Sequence, residues 1–350
     1  MDKWLYFDNQ SLASFKGVLG DARKVVIVSH RNADGDAVGS SLGMWHLLRS
    51  MGYDAVVLLP DGCPATFRSW MPGSDAILNG TTQTAECAAA VAAADLLIGV
   101  DFNKLYRISV LADIVAGAQC KKVLIDHHEG PEADKFDIVF SQPSISSTCE
   151  LCYWLINAAW DDECVSREVA ICLFTGIRTD TGGFQYSCSH PSLYEAVSVL
   201  IAKDIEPDRI NHLIFDDFSE RRLRFFAFAI EQRMRVFHDQ QFAYIYITHS
   251  DMQEWGILPE DVEGLVNYTL KMSDIEVGVL IREEPTRTKL SFRAKFHYNV
   301  EQVAREHFGG GGHIKAAGAD VKETPIAEVL HRLETIFLPE SQWTPIERIV

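Results

Sequence analysis

The chain is short of positive charge: its 350 residues include 32 lysines and arginines against 49 aspartates and glutamates, which gives a formal net charge of −17. Lysine and arginine supply most of the non-specific affinity for long nucleic acids, so we expect no binding that wraps a long polynucleotide. Small phosphorylated molecules stay open as ligands, because divalent cations held by carboxylates reverse the sign of the local field.

Long hydrophobic runs are also missing. The longest run of small apolar residues, 87–94, ends at Asp95 and is far shorter than the roughly 20 residues that a membrane-spanning helix needs. We expect no secretory signal, because no apolar run follows a basic start in the first residues, and the eight cysteines lack the spacing of a complete zinc site. The C-x-x-C at Cys149 and Cys152 is predicted to lie on the apolar face of a helix. We therefore expect a cytoplasmic protein with reduced thiols and no membrane contact.

The first half of the chain alternates short apolar runs with amphipathic helical stretches, which is typical of a parallel sheet covered by helices. The predicted strands are 24–29, 55–59, 96–100 and 122–125, and the predicted helices include 38–51 and 106–117. The segment from 149 to about 203 is predicted to be mainly helical.

A second, smaller α+β domain is predicted after a connector. Residues 219–240 have the pattern of one long, arginine-rich helix, which we interpret as a solvated face. The later predicted strands are 242–248, 276–282 and 287–296, and the later predicted helices are 259–272 and 300–308. The expected fold is thus α/β, with a parallel-sheet domain over 1–200, a helical connector over 201–240 and an α+β domain over 241–350.

Acidic residues and histidines follow three of the predicted strands. The first strand is followed by His30, Asp34 and Asp36, the third by Asp101, and the fourth by Asp126, His127 and His128. Ligands bind outside the carboxyl ends of strands in open α/β sheets, so these side chains are expected to converge in one crevice. A helix N-cap is the alternative role for Asp36.

The two adjacent histidines leave a strand end toward opposite sides, so both are not expected to bind one metal ion. One would be a ligand, and the other would face the substrate as a proton donor or phosphate partner. Two surface histidines in a turn are the alternative. Asp180, which follows a helical run and enters a glycine-rich turn, is a further candidate carboxylate, with a helix-terminal turn as its alternative role.

Four carboxylates and two imidazoles form the candidate ligand set: Asp34, Asp36, Asp101, Asp180, His30 and His127. Four carboxylates in one crevice would repel one another and raise their pKa values, whereas two divalent cations balance their charge. Oxygen ligands with imidazole and no thiolate suit Mn²⁺ best, with Mg²⁺ or Zn²⁺ as alternatives. Two ions about 3.5–4 Å apart are suited to in-line displacement at phosphorus.

The later part of the chain contains a candidate phosphate-binding segment. Gly309 is a predicted helix C-cap, and the glycines after it, 310–312, let backbone amides approach an anion next to His313. A flexible hairpin is the alternative. The strand 287–296 places only basic residues and a serine on one face, which predicts a phosphate contact at Arg293.

Together these motifs resemble the DHH phosphoesterases with a DHH-associated C-terminal domain. The resemblance rests on SHRNADGDAVGSSLG from Ser29, the Asp101 that follows a strand, the DHH of 126–128, GIRTDTGGF from Gly176, and the late FRAK and GGGGHIKAAG segments. Within that family, the chain is most similar to stand-alone bifunctional oligoribonucleases (nanoRNases) that also dephosphorylate 3′-phosphoadenosine 5′-phosphate. The resemblance implies a catalytic DHH domain, a DHH-associated substrate-binding domain, and an active site in the cleft between them.

The resemblance also implies a role for each candidate residue. One Mn²⁺ would be held by His30, Asp34 and Asp101, and the second by Asp36, Asp101, His127 and Asp180, so that Asp101 bridges the two ions. His128 would face the scissile phosphate. The distal part of the substrate would be bound by Arg293, Gly311, Gly312 and His313.

The expected activity is Mn²⁺-dependent two-metal hydrolysis of short RNA oligonucleotides to mononucleotides, with 3′-phosphoadenosine 5′-phosphate as a further candidate substrate. Expected partners are therefore short RNAs or small phosphorylated nucleotides, and a homodimer is compatible with the sequence. Hydrolysis of cyclic dinucleotides or linear diadenylate is the first alternative. The second is a nucleotide-binding module whose metals organise a site without turnover. Inorganic pyrophosphatases of the family carry a different C-terminal domain, so the glycine run argues against that activity.

Overall fold

The computed structural model describes residues 6–296 and 298–337, which form two compact units with the boundary between Asp217 and Phe218. The predicted α/β class, with a parallel-sheet domain followed by a smaller mixed one, is confirmed. None of the helices within the described ranges has both the length and the apolar character that crossing a membrane requires.

The first unit is built on a six-stranded sheet in which every neighbouring pair is parallel. Its strands are β1 (Lys24–Val28), β2 (Asp54–Leu59), β3 (Ile77–Asn79), β4 (Leu96–Val100), β5 (Lys121–Asp126) and β6 (Ile138–Ser141). The order across the sheet is β3-β2-β1-β4-β5-β6. The chain therefore winds outward in both directions from β1 and β4, and this switch opens a crevice at the carboxyl ends of those two strands.

Helices cover both faces of this sheet. They are α1 (Asn9–Asp21), α2 (Gly35–Ser50), α3 (Ala65–Arg68), α4 (Thr84–Ala92), α5 (Ala112–Ala116), α6 (Thr148–Ala159), α7 (Arg167–Asp180), α8 (Pro191–Ile201) and α9 (Pro207–Phe215). Alternate residues of β1 serve two cores: Val25 and Ile27 pack with α2, α6 and α7, while Val26 and Val28 pack with α4 and α5. Burial on both faces explains why the strands have near-continuous apolar sequences.

Helices α2 and α7 cross closely because glycines line their contact. A Cβ atom on Gly39 of α2 would lie 2.5 Å from the carbonyl oxygen of Cys172 on α7, and one on Gly176 of α7 would lie 2.9 Å from Oδ1 of Asp36. Neither position has space for a side chain larger than a hydrogen atom. The close crossing places the first turn of α2 beside the last turn of α7, where Asp180 ends the helix.

The second unit contains a six-stranded mixed sheet in the order β11-β12-β10-β9-β8-β7, in which β8 and β9 are parallel and the other pairs antiparallel. Its strands are β7 (Met234–Phe237), β8 (Phe242–Ile247), β9 (Val277–Glu284), β10 (Arg287–Ala294), β11 (Gly311–His313) and β12 (Ala316–Lys322). Its helices are α10 (Glu220–Phe228), α11 (His249–Trp255), α12 (Val300–Phe308) and α13 (Ile326–Phe337). Helices α12 and α13 pack against the buried residues of β10 and β12.

The prediction of one long helix over 219–240 is wrong. Helix α10 ends at Phe228, a π-helical turn follows over Ala229–Arg233, and strand β7 then pairs with β8. Arg233 forms a bidentate ion pair with the buried Asp251, with N–O distances of 2.7 and 2.9 Å. Phe225, Phe226 and Ala229 lie in the core of the second unit, whereas Arg221, Arg224 and Arg235 are exposed, which agrees with their interpretation as a solvated face.

Two other predicted helices are shorter and more irregular than expected. Residues Leu105–Leu111 form a 3₁₀ segment that is interrupted at Ser109, where φ is 48°, and only Ala112–Ala116 is α-helical. The predicted helix over 259–272 consists of two 3₁₀ segments, with Gly264 in the left-handed conformation between them. The apolar spacing was suited to a helix, but these backbone breaks prevent a continuous one.

We predict that Gly39→Ala weakens the crossing of α2 and α7, because the new methyl group meets backbone and a buried sulfur that cannot move aside. The free energy of unfolding in urea should fall by about 1–3 kcal/mol, as for other overpacked cores. The matched control is Gly17→Ala on α1, where a Cβ meets nothing within 4 Å. That substitution should raise stability by about 0.5–1 kcal/mol. Equal effects of the two substitutions would contradict the packing argument.

Candidate metal centre

Six candidate ligands lie at the carboxyl ends of the first unit's strands. His30 follows β1, Asp101 follows β4, and His127 follows β5, while α2 and α7 bring their own carboxylates to the same place. The close crossing of the two helices supplies Asp36 from the first turn of α2 and Asp180 from the last residue of α7. The sheet switch point and the helix crossing thus meet in one site.

The His30 ring is held in one orientation. Its Nδ1 donates to the carbonyl oxygen of Arg31 at 2.8 Å, and its Nε2 lies 3.2 Å from Oδ2 of Asp101 and 4.0 Å from Oδ1 of Asp34. A histidine whose Nδ1–H is given to a backbone carbonyl presents Nε2 to its other neighbours, which is the usual arrangement of an imidazole metal ligand. The carboxylates therefore face the nitrogen that could bind a cation.

The two aspartates of the first motif have different surroundings. Oδ1 of Asp34 accepts from the amides of Asp36 and Ala37, each at 3.0 Å, so the N-cap of α2 is Asp34. The alternative of Asp36 as the N-cap is wrong. Asp36 is buried, and its two oxygens accept from the amides of Thr148 at 2.7 Å and Cys149 at 2.8 Å.

The two oxygens of Asp101 face different histidines. Oδ2 is 3.2 Å from Nε2 of His30, and Oδ1 is 3.8 Å from Nε2 of His127. The backbone of Asp101 has a φ of 62°, an uncommon conformation for a residue other than glycine that directs this buried side chain into the site. His127 Nε2 is also 3.4 Å from Oδ2 of Asp180 and 3.9 Å from Oδ2 of Asp36.

In the described part of the chain, three groups have ligand atoms that all lie within 4.8 Å of one another and could hold a metal ion. They are His30 with Asp34 and Asp101; Asp36 with His127 and Asp180; and Asp101 with His127 and His128. The first two groups together contain all six candidate ligands. Two neighbouring groups, each with one imidazole and two carboxylates, suit a pair of divalent cations.

His128 is positioned by Asp126, a residue that was expected in the crevice but was given no role there. Nδ1 of His128 and Oδ1 of Asp126 share a hydrogen bond of 2.7 Å. Asp126 is fully buried at the end of β5, and this burial, together with the charge of Asp101, raises the pKa of Asp126 to about 7. Because Nδ1 is bound by Asp126, Nε2 is the nitrogen that His128 can present to another group. The position of Asp126 next to two histidines at a strand end was the available sequence signal.

Burial and mutual repulsion shift the pKa values within the site. Burial raises the pKa of Asp36 well above its usual value, and the charges of Asp101 and Asp180 raise it further. Burial also opposes ionisation of Asp101, but the hydrogen bond with His30 and the charges of the histidines outweigh it and lower the pKa of Asp101. Burial alone would lower the pKa values of His30 and His127, yet the surrounding carboxylates raise both.

These pKa shifts indicate that the site carries an excess of negative charge. A cluster that raises the pKa values of its imidazoles and of one carboxyl takes up protons to offset negative charge, and a divalent cation would replace those protons. Cys149 is adjacent, with Sγ 3.6 Å from the carbonyl oxygen of Asp36, but burial raises the pKa of its thiol well above 9. The donor set is therefore oxygen and imidazole without thiolate. Both Cys149 and Cys152 are buried in α6, which confirms the prediction of an apolar helix face.

The predicted substrate-binding residues lie in the second unit. Arg293 is on β10, and its Nη1 donates to the carbonyl oxygen of Phe292 at 2.9 Å. Gly311 and Gly312 lie in β11, an edge strand paired with β12. The backbone of His313 ends that strand, while its side chain lies outside the described residues.

The glycine run has a structural explanation for most of its members. Gly309 caps α12 with a φ of 65°, as predicted. A Cβ on Gly310 or Gly312 would lie within 2.6 Å of backbone carbonyl oxygens on β12, whereas one on Gly311 meets nothing within 4 Å. Among these four glycines, Gly311 is the one that close packing does not explain.

The basic residues of β10 share one face as predicted, but the sheet surface around them is not purely basic. Alternation itself is confirmed over 287–294, since the even-numbered residues are buried. However, neighbouring strands add carboxylates: Arg287 pairs with Glu284 at 2.6 Å and with Asp320 at 3.0 Å. Lys295 lies beyond the strand and donates to the carbonyl oxygen of Met272. A single strand's sequence does not show which charges stand beside it.

Two stretches of the chain match known families: residues 24–177 match the DHH family, N-terminal domain, and residues 239–338 match the DHHA1 domain. A solved structure of an exopolyphosphatase-related protein from Bacteroides fragilis matches with a TM-score of 0.90 and 35% identity, over 94% of this chain and 96% of that chain. The chain belongs to the DHH family. This confirms the resemblance, and as a member of the DHH family the protein is a metal-dependent hydrolase.

Two relatives of this DHH-family protein have names that specify substrates. The bifunctional oligoribonuclease and PAP phosphatase NrnA of Thermus thermophilus is 24% identical, over 88% of this chain and 87% of the relative. The cyclic-di-AMP phosphodiesterase PdeA of Listeria monocytogenes is also 24% identical, over 89% of this chain but 46% of the relative. The first relative is thus similar over nearly its whole length, and the second is about twice as long as the region that it shares.

We predict that the metal-free DHH-family protein loses stability as the pH rises from 5 to 6.5. A carboxyl whose pKa is raised on folding binds its proton more tightly in the folded chain, so stability falls between the unfolded and folded pKa values. For Asp126 this window runs from 3.8 to about 7. Within it, one such group contributes a slope of about 1.4 kcal/mol per pH unit.

The measurement is urea unfolding in EDTA at several pH values. Asp126→Asn removes this titration, so the slope of the variant should be smaller than that of the wild type, whatever its absolute stability. Identical slopes, or stability that increases with pH in the wild type, would contradict the assignment of the shift to Asp126.

Proposed function

We propose that the protein is a two-metal phosphohydrolase and that Asp101 is shared by both metal ions. The observation that supports this proposal is the orientation of Asp101, whose two oxygens face two histidines in two separate ligand groups. A carboxylate with one oxygen toward each group is suited to bridge two cations. Mn²⁺ is the ion that we propose, because the donors are carboxylates and imidazoles without thiolate, and Mg²⁺ and Zn²⁺ are the alternatives.

In this proposal, two sets of residues that share Asp101 would hold the two ions. One ion would be held by His30, Asp34 and Asp101, and the other by Asp36, Asp101, His127 and Asp180. Bound divalent cations supply the positive charge that stabilises in-line attack of water on phosphorus. His128, whose Nδ1 is bound by Asp126, would present Nε2 to an oxygen of the scissile phosphate and hold or donate a proton there.

We propose short RNA oligonucleotides as the substrate, with 3′-phosphoadenosine 5′-phosphate as a second one. The similarity to the Thermus thermophilus protein over nearly its whole length supports this choice. Arg293, Gly311, Gly312 and His313 are the proposed substrate-binding residues of the second unit. The match to the Listeria monocytogenes phosphodiesterase supports cyclic or linear diadenylate as the competing substrate.

A substrate panel tests the proposal. It contains di- to pentaribonucleotides, 3′-phosphoadenosine 5′-phosphate, linear and cyclic diadenylate, and pyrophosphate, each with Mn²⁺, Mg²⁺, Zn²⁺ or EDTA. We expect the fastest product release from the short ribonucleotides with Mn²⁺ and none with EDTA. Faster hydrolysis of a diadenylate would select the competing substrate, and tight binding without any product would indicate a nucleotide-binding module.

Asp101→Asn should lower turnover of the best panel substrate by at least about 10³-fold, because an amide offers one neutral oxygen where two charged ones would be shared. The matched control is Asp113→Asn, which removes an exposed carboxylate on α5 of the same unit and should leave turnover unchanged. Circular dichroism in EDTA checks that both variants fold. Turnover by Asp101→Asn within tenfold of the wild type would refute the shared role.

A further inference from the structure

The N-terminal turn of α6 contacts two of the candidate metal ligands through one residue. The backbone amide of Thr148 donates to Oδ2 of Asp36 at 2.7 Å, and its hydroxyl donates to Oδ1 of Asp101 at 2.9 Å. Thr148 itself is fully buried. It therefore touches one carboxylate that the first turn of α2 supplies and one that follows β4, although 112 and 47 residues separate it from them.

A buried carboxylate holds this turn in place. Glu150 accepts from the amide and hydroxyl of Ser146 at 3.1 and 2.6 Å, and from the hydroxyl of Ser192 on α8 at 2.7 Å. Ser147 is the N-cap of α6 and accepts from the amide of Glu150 at 3.0 Å. With these groups paired, the amides of the first two residues of α6 remain to bind Asp36.

Among the contacts described for Oδ1 of Asp101, the hydrogen bond from the Thr148 hydroxyl is the shortest. Oδ2 of Asp101 is held at 3.2 Å by His30, while the nearest histidine nitrogens to Oδ1, on His127 and His128, are each 3.8 Å away. Those distances are too long for a hydrogen bond. Thr148 therefore orients the Oδ1 end of the Asp101 carboxylate, while the Oδ2 end faces Nε2 of His30.

We propose that Thr148 is a positioning residue of the metal centre: its hydroxyl holds the Asp101 carboxylate, and its amide holds that of Asp36, in the orientation that the two ions require. This inference depends on the proposed two-metal function. Residues that hydrogen-bond to metal ligands without touching the metal typically contribute 10–100-fold to metal affinity or activity. Thr148 would act through the aspartates without touching substrate.

The test is Mn²⁺ binding measured by titration calorimetry in the absence of substrate. Thr148→Val keeps the shape and the amide but removes the hydroxyl, and we expect it to weaken the more affected Mn²⁺ site by 10–100-fold. Thr148→Ser keeps the hydroxyl and should bind within about threefold of the wild type. The control is Thr175→Val, which removes an equally buried hydroxyl that donates to the carbonyl oxygen of Ile171 on α7. It should not alter Mn²⁺ affinity.

Each outcome decides the inference. Wild-type affinity in Thr148→Val overturns it, as does a Thr148→Ser variant as weak as Thr148→Val, since packing of the methyl group would then be responsible. If circular dichroism in EDTA shows that Thr148→Val is unfolded, the smaller Thr148→Ala carries the same expectation. A wild-type protein that binds Mn²⁺ but hydrolyses nothing refutes the proposed function and leaves this comparison valid. A wild-type protein that binds no Mn²⁺ overturns both.

Discussion

Carboxylates that are buried side by side repel one another, and the architecture of the first unit is arranged around that cost. Asp36 and Asp101 are almost completely buried, and the charge of Asp101 adds to burial in raising the pKa of Asp36. Such a cluster is stable only where hydrogen-bond donors, imidazoles or cations offset its charge. The folded chain supplies the first two kinds of group itself, and the third is the pair of cations that we propose.

Three structural features determine how the charge of these carboxylates is offset and how close together they lie. The N-terminal turn of α6 directs two backbone amides at Asp36, where the helix dipole is also favourable to a negative charge. The imidazoles of His30 and His127 lie beside Asp101. The glycine contact between α2 and α7 sets how close their carboxylates come, because a larger residue at position 39 or 176 would push the helices apart. Sheet topology, helix crossing and capping therefore determine one site together.

Much of this could be predicted from the sequence, because the relevant signals are local. Apolar runs identified four of the six parallel strands, and the acidic residues and histidines at their ends identified the residues that the structure brings together. The two strands that were missed, β3 and β6, have three and four residues and so carry little pattern. Thr148 was missed although Ser147 and Glu150 have the spacing of a helix N-cap, since its partners lie far away in sequence.

The second unit was harder to predict because its features depend on neighbouring strands. The segment 219–240 begins as a helix, but an alternating stretch at its end pairs with β8 and becomes a strand. The basic residues of β10 stand beside carboxylates on β9 and β12, which single-strand alternation cannot reveal. Likewise, the glycines around β11 are explained by the approach of the β12 backbone. In each case a contact distant in sequence overrode a local pattern.

The six candidate ligands extend from His30 to Asp180, and the last of them ends α7. During synthesis on the ribosome, a nascent chain that has exposed only β1 and α2 can offer one imidazole and two carboxylates, without the partners that follow β4, β5 and α7. All six candidate ligands are present only after roughly half of the polypeptide has emerged, and they come together only when the parallel sheet has formed. A cation therefore cannot template the early steps of folding with the full set, and its tight capture would have to wait until α7 packs against α2.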